Sequence, residues 1–523
     1  MFVSYAFIAF IIGLVVVYYL IPRKWQWGLL LLASFGFYFF AGWTYLFYLV
    51  TTATTIYLAG LYFDLQDRNH ERMRADASRE QKKRLKAEFN RRKKVVMVLC
   101  LLLNLGILAV TKYTAFVVVN INRFLSPGSE LNIPDLIIPL GISFYTFQAV
   151  SYLLDTYWGK CEVQRNYPKF LLFVSFFPQL IQGPISRYGD LSKTLYERHP
   201  FDRVQVGYGL QRVLWGYFKK LVIADRLMPA VSGLFDGAKG YTGGYVWIMM
   251  VFWAIVLYAD FTGGIDITIG IAQMLGIRVE ENFVRPFFSK NITEYWRRWH
   301  ITMGTWFRDY VFYPFSISKP LRRLTTFSKN HFGMKVAKRV AVYLSTMVCW
   351  LATGIWHGAA WHFVAWGLVN GVVLLVTGEL EPAYARFHGK HPGLTGSVGY
   401  KVFQVLRTFF LMCCIRLFDV YNSAKLAVHQ FIHMFTDIFS CPVKGKELMS
   451  WGLTVTDYII VGVGVLLMFT VSMCARREPV RVRLGRVPYV IRFVLFLGLF
   501  LATVMLGKYG AGLDATQFIY NAF

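Results

Sequence analysis

The stretch Phe2–Ile21, FVSYAFIAFIIGLVVVYYLI, carries no charged residue from end to end, and its reading decides the class of the molecule. A bilayer core needs about 20 consecutive apolar residues per helix, and this run supplies them. Arg23 and Lys24 follow it and no Lys or Arg precedes it. That order is the reverse of a cleaved secretory signal, and it starts the helix outside and ends it inside. Trp27–Phe40 and Trp43–Phe63 add an outward and an inward pass, separated at Ala41-Gly42. The whole chain agrees: of 523 residues, 56% are hydrophobic and only 16% charged, whereas soluble domains carry about a quarter charged. Basic residues outnumber acidic ones 56 to 29, a net charge of +27. A nucleic-acid binder would gather such an excess on one face. Here it sits in short runs between apolar stretches, the pattern of cytoplasmic loops facing an anionic leaflet. Membrane lipids are the expected surroundings, and nucleic acid is not an expected partner.

Three basic segments set the expected topology. Residues 64–94 hold 12 Lys/Arg against 6 Asp/Glu, residues 315–339 hold seven Lys/Arg and no acid, and residues 475–488 hold Arg476, Arg477, Arg481, Arg483 and Arg486. All three loops are expected to be cytoplasmic, the first of them helical, with the N-terminus and Lys508–Phe523 outside. Apolar passes at Val95–Val119, Val340–Thr353, Ala359–Gly378, Val402–Phe418, Gly452–Met473 and Tyr489–Leu506 complete the pattern. Between Ile133 and Gly276 the apolar runs are cut at Pro139-Leu140-Gly141, Pro178, Gly183-Pro184 and Gly263-Gly264. Irregular backbone cannot face lipid, because its N–H and C=O groups would go unpaired, so these breaks predict re-entrant segments around an enclosed cavity. The expectation is an all-α polytopic membrane protein, one integral-membrane domain over residues 1–523, with about eleven spanning and re-entrant helices.

Few residues are placed to carry chemistry. Seven Cys at unrelated spacings form no disulfide or zinc framework. His429 and His433 have the i, i+4 spacing of metal ligands, yet no accompanying Glu completes an H-E-x-x-H pattern, and no metal site is read. His357 differs. It stands in Gly354-Ile355-Trp356-His357-Gly358-Ala359-Ala360-Trp361, a break between two apolar helices, and an ionisable group at membrane depth is a functional candidate by default. A desolvated, neutral imidazole can take a proton from a hydroxyl nucleophile; a structural imidazole bonded to a neighbouring helix is the alternative. Gly354 and Gly358 would allow a substrate to approach, and His362, about 140° further round a helix, is read as packing. A second region alternates aromatic and cationic residues through Trp296-Arg297-Arg298-Trp299-His300 and on to Arg308. It reads either as a headgroup-zone anchor or, through Arg297, Arg298 and Arg308, as a binding site for the phosphates of an anionic donor, since the region holds too few acids to neutralise it.

These two regions, together with Pro139–Gln148 and Phe176–Ile185, resemble the signatures of the membrane-bound O-acyltransferase family, in its branch of bacterial alginate O-acetyltransferase membrane subunits. The resemblance covers nearly the whole chain, including the final Phe518-Ile519-Tyr520. Pro314-Phe315-Ser316-Ile317-Ser318 departs from the usual proline-leucine-glycine-glycine run and leaves the acceptor open. The resemblance implies that His357 matches the family's membrane histidine and His300 its second characteristic position. It implies a tunnel with a cytoplasmic donor mouth, with Trp296 at the donor side and Trp356, Gly358, Trp361 and Gln182 along the tunnel. The donor substrate would be acetyl-CoA or another acyl thioester with no cofactor, the acceptor a hydroxyl of an extracytoplasmic polysaccharide, and the partner a secreted or tethered SGNH-hydrolase-like protein. Transfer of D-alanine to teichoic acid, or non-catalytic transport of the polysaccharide, are the competing expectations.

Overall fold

The computed structural model describes residues 3–235 and 240–509. The tail bearing Phe518-Ile519-Tyr520 lies outside the described residues. Among those described every regular element is a helix, and the only strand-like pairing is a bridge between Phe283 and Trp299. Eight helices are long and apolar enough to cross a membrane: Trp43–Ala75, Arg79–Asn122, Gly244–Met274, Lys319–His357, Trp361–Lys390, Val398–Val420, Val455–Cys474 and Tyr489–Leu506. Tyr5–Leu20 and Gln26–Ala41, each 16 residues, are shorter apolar helices. The chain is a multi-pass membrane protein, as its apolar runs predict.

The basic segment 64–94 is helical, as expected. Trp43–Ala75 runs into it and Arg79–Asn122 runs out of it. The second helix starts on a capping box, in which Ser78 and Gln81 satisfy each other's backbone N–H groups. Lys93 reaches back to Asp67 at 2.8 Å, tying the two arms together. Segment 315–339 differs from the expected loop, because Lys319–His357 begins within it and bends at Gly333, where φ is 84°. Basic side chains do not oppose a helix, so the charge run gives sidedness but not backbone form.

Two compact units are present, Tyr5–Gly209 with Ile271–Glu280, and Met1–Ser4 with Leu210–Gly270 and Glu281–Phe523. In the first, the irregular backbone expected from Pro139-Leu140-Gly141, Pro178 and Gly183-Pro184 is found and is buried. Tyr38 donates to the Leu140 carbonyl at 2.8 Å. Gly141 has φ 67°, and a Cβ there would stand 2.1 Å from the Leu180 carbonyl oxygen, so no other residue fits. Gln148 donates to Gln179, which donates to Ser186, both at 2.8 Å. Gln182 beside them is fully buried, with no partner for its amide among the described residues.

In the second unit one expectation is overturned. Gly263-Gly264 is not a break but lies inside the unbroken Gly244–Met274 helix. A Cβ on Gly216 would come within 2.6 Å of the Gly263 carbonyl oxygen, so the glycines serve close helix packing rather than interruption. That approach seats the π-helical turn Phe218–Ala224 against the long helix. Lys219 meets Asp266 at 2.6 Å, Lys220 meets Asp260 at 2.6 Å and Asp225 at 2.7 Å, and Arg212 joins Asp266 to Glu281. Buried ions cost several kcal/mol each, and only such pairing offsets it.

Candidate active site

The site is built on a helical hairpin. Lys319–His357 ends on His357, Gly358 is extended, and Trp361–Lys390 returns. The two helices touch backbone to backbone: a Cβ on Gly354 would stand 2.4 Å from the Phe363 carbonyl oxygen, and one on Gly367 would stand 2.4 Å from that of Trp350. A Cβ on Gly358 would strike the Phe363 ring at 2.3 Å. The sequence reading of Gly354 and Gly358 as room for substrate is therefore corrected: both are consumed by packing that fixes where His357 points. His362 packs against Phe363, ring centroids 4.1 Å apart, as expected.

His357 faces an aromatic cavity of about 20 Å³, room for a single water. Trp366 stands 4.6 Å from the imidazole, ring to ring, and Phe363 also lines the space. Trp253, Leu257 and Phe261 line it from the Gly244–Met274 helix, and Trp296 and Trp299 from the second motif. The two motifs thus meet at one wall, although some 60 residues apart in the chain. Trp296 is a wall residue here, packed 4.8 Å from Trp350 and 5.7 Å from Trp366. Trp356 is buried, its ring 5.1 Å from that of His357 and 6.0 Å from that of His300. Trp361 is exposed and does not line the cavity. Gln182 belongs to the other unit.

His300 is held by a short antiparallel contact. Val284 N–H donates to the Arg298 carbonyl at 2.9 Å, and Ile301 N–H donates to that of Asn282 at 3.0 Å. These bonds lock His300 into a left-handed conformation, φ 46°, which costs a side-chain-bearing residue roughly 1–2 kcal/mol. Asn282 Oδ1 accepts from Thr302 N–H at 3.1 Å and lies 3.2 Å from His300 Nδ1. An oxygen already accepting from a backbone N–H faces Nδ1 as an acceptor, so Nδ1 carries the proton and Nε2 the lone pair. Burial pushes the His300 pKa down to about 3 and keeps the ring neutral.

The arginines divide differently from the expectation. Arg298 is paired with Glu294 at 2.5 Å and Arg308 with Asp309 at 2.9 Å, so two of the three are already neutralised; Arg297 is exposed. Uncompensated charge appears instead at Arg285. Its burial, and then the neighbouring guanidiniums of Arg298 and Arg476, lower its pKa.

Sequence reasoning missed Asn282, Arg416 and Asp419. The last two line the His357 cavity, and Arg416 pairs with Asp419 at 2.8 Å. Their signal was present as two charges, Arg416 and Asp419, at the end of the apolar run Val402–Phe418.

With this geometry in hand, the comparisons are direct. The profile of the membrane-bound O-acyltransferase family matches residues 162–329. The chain is 34% identical over 382 residues to the "Probable alginate O-acetylase AlgI" of Azotobacter vinelandii, covering 72% of this chain and 68% of that protein. It is 32% identical over 329 residues to the "Peptidoglycan O-acetyltransferase" of Helicobacter pylori, 58% of this chain and 59% of that one. To the "Teichoic acid D-alanyltransferase" of Bacillus subtilis it is 27% identical over 292 residues, 53% of this chain and 68% of that one. Among the alginate relatives other than that of Azotobacter, the match to the Pseudomonas aeruginosa protein spans 51% of its length. A multi-pass helical chain whose two motifs meet at one aromatic wall, and which aligns in this way, belongs to the membrane-bound O-acyltransferase family.

Proposed function

We propose that this O-acyltransferase moves an acyl group, acetyl in the simplest case, from a cytoplasmic thioester such as acetyl-CoA to a hydroxyl of an extracytoplasmic polysaccharide or a partner protein. The observation that carries the reading is His357 at a helix end, facing an enclosed cavity that it shares with the second motif. A hydroxyl is a poor nucleophile at neutral pH and needs a base within hydrogen-bond reach. His357 takes the hydroxyl proton as the oxygen attacks the acyl carbon and returns it to the departing thiolate. His300, neutral and oriented by Asn282, sits on the donor side and positions the thioester. Tight aromatic walls exclude the water that would otherwise hydrolyse the donor. Arg285 and Arg476 are the groups best placed to meet the donor's phosphates, because their like charges oppose each other while Arg298 is already held by Glu294.

The names of the alginate and peptidoglycan relatives support a polysaccharide acceptor, and that of the Bacillus relative keeps a D-alanyl donor in view. A secreted or tethered SGNH-hydrolase-like partner and a cell-membrane location with both termini outside complete the proposal. The decisive experiment supplies the purified protein with labelled acetyl-CoA or a D-alanyl carrier-protein thioester in turn. Label reaching a polysaccharide or protein hydroxyl from acetyl-CoA supports the reading, D-alanyl transfer alone replaces the donor, and thioester left intact in both cases defeats it.

A further inference from the structure

A buried arginine stands in the same cavity as the base, and the family match and the sequence motifs leave it without a role. Arg416 follows the Val398–Ile415 helix and is 4% exposed. Its Nη1 donates to Asp419 at 2.8 Å, its Nη2 donates to the Tyr295 hydroxyl at 2.8 Å, and its plane lies 4.3 Å over the Trp299 ring. Three contacts from three directions fix the guanidinium. Its third nitrogen donor, Nε–H, is buried and has no acceptor among the described residues.

A purely structural ion pair would be expected to saturate its donors, because an unmade bond to a buried charge is costly. Here the fork is held rigid while one of its three nitrogens, Nε, has no partner among the described residues, on a side chain that lines a space of about 20 Å³ together with Asp419 and His357. That volume suits one oxygen atom with its hydrogen-bond partners. We propose that Arg416 is a catalytic residue that holds the acyl carbonyl oxygen and stabilises the oxyanion formed on it. The inference rests on the acyl-transfer reading above and deepens it by naming the electrostatic partner of the base.

The step balances as follows. The acceptor hydroxyl oxygen bonds to the acyl carbon, its proton passes to His357, and the carbonyl π pair moves onto the oxygen that Arg416 holds. The C–O double bond re-forms, the C–S bond breaks, and the thiolate leaves with the proton returned by the imidazolium. Preorganised donors aimed at developing charge lower a barrier without reorganising at the moment of reaction. Asp419 keeps the guanidinium neutralised while the site is empty, and Trp299 holds its plane.

The test uses full-length protein in lipid nanodiscs, with wild type and Arg416→Gln compared in two measurements. One is acyl transfer, read as kcat and donor KM. The other is binding of two unreactive coenzyme A analogues, a ketone that replaces the thioester sulfur with methylene and an ethyl thioether that lacks the carbonyl. We expect kcat to fall about 10²–10³-fold, with donor KM rising by no more than the factor by which the wild type prefers the ketone. The wild type's preference for the ketone should disappear in the variant. A kcat within a few-fold of wild type, or a ketone preference that survives, overturns the proposal. Should Arg416→Gln fail to fold, Arg416→Lys keeps the charge and removes Nε–H. A drop of at least about tenfold in kcat is then expected, and wild-type kcat refutes the role. A wild type that transfers no acyl group overturns the acyltransferase reading and this inference together, whereas an active wild type with an equally active Arg416→Gln overturns this inference alone.

Discussion

The ring of His300 stands 6.0 Å from that of Trp356, the residue immediately before His357. One indole therefore packs against both motif histidines. This packing sets the imidazoles apart in role: His300 is locked by Asn282, while His357 opens to the cavity. Replacing His357 by Ala should leave insertion and donor binding intact and reduce acyl transfer about 10²–10⁴-fold, with His300→Ala impaired by a similar or smaller factor. Transfer at the wild-type rate by purified His357→Ala would remove it from the chemistry, and loss of the folded protein would make it structural.

Acid should weaken the protein through His300. An unfolded chain protonates this ring near 6.5, whereas the folded chain holds it neutral down to about 3. The unfolded state then takes up the extra proton, so the stability conferred by the neutral ring is complete above about 6.5 and is lost as pH falls from there toward 3. His300→Asn removes the titration and tolerates the left-handed backbone. Thermal unfolding from about pH 8 to about pH 5 should show a smaller acid-induced fall in the variant than in the wild type. Identical profiles would assign the acid sensitivity to other groups.

How much of this was legible before the structure follows from the range of each signal. The first helix and the last, Tyr489–Leu506, were readable because a bilayer sets the length of an apolar run, uncharged in the first and with Arg492 as the one charge in the last. His357 stood out because it occupies a break between two apolar helices, and His300 because the motif that holds it resembles that of the family. Gly263 was misread because glycine marks both a broken helix and a close helix crossing, and only the partner, Gly216, tells them apart. Arg416 and the Lys219–Asp266 pair were hidden, since their meaning lies in contacts across 121 and 47 positions of chain. The neutralisation of Arg298 was visible in principle: Glu294 is four residues earlier, the spacing of a helical ion pair.

Donor recognition should follow the crowded cations. Arg285→Gln and Arg476→Gln are expected to raise the donor's KM by roughly tenfold or more each, the effect of losing a charge-assisted hydrogen bond, with the acceptor's KM unchanged. Added salt should raise the wild-type donor KM and affect the double variant less. Donor kinetics that ignore both substitutions would return this surface to a membrane-anchoring role.

Sidedness is open to a direct check. In a cysteine-free background, a membrane-impermeant thiol reagent should label Ala511→Cys, outside the described residues, on intact cells and reach Ala77→Cys only after permeabilisation. Ala77 lies in the break between two helices in the basic segment, so its labelling on intact cells would invert the topology.

The hairpin crossing makes the last prediction, because it separates packing from chemistry. Gly354 and Gly367 lie where an added Cβ would meet a carbonyl oxygen at 2.4 Å. Backbone cannot yield as a flexible side chain can, so the helices must part. Gly354→Ala or Gly367→Ala should cost about 1–3 kcal/mol, the range for overpacked interiors. It should also lower acyl transfer by displacing His357, which ends the first helix only three residues beyond Gly354. Gly378, on the same returning helix, meets nothing within 4 Å of its added Cβ. Gly378→Ala should therefore be neutral or stabilising by up to about 1 kcal/mol, the gain in helix propensity. Thermal stability and transfer rate measured together decide the matter. If Gly354→Ala and Gly378→Ala behave alike, the crossing does not position His357, and the geometric basis for its role would have to be sought elsewhere.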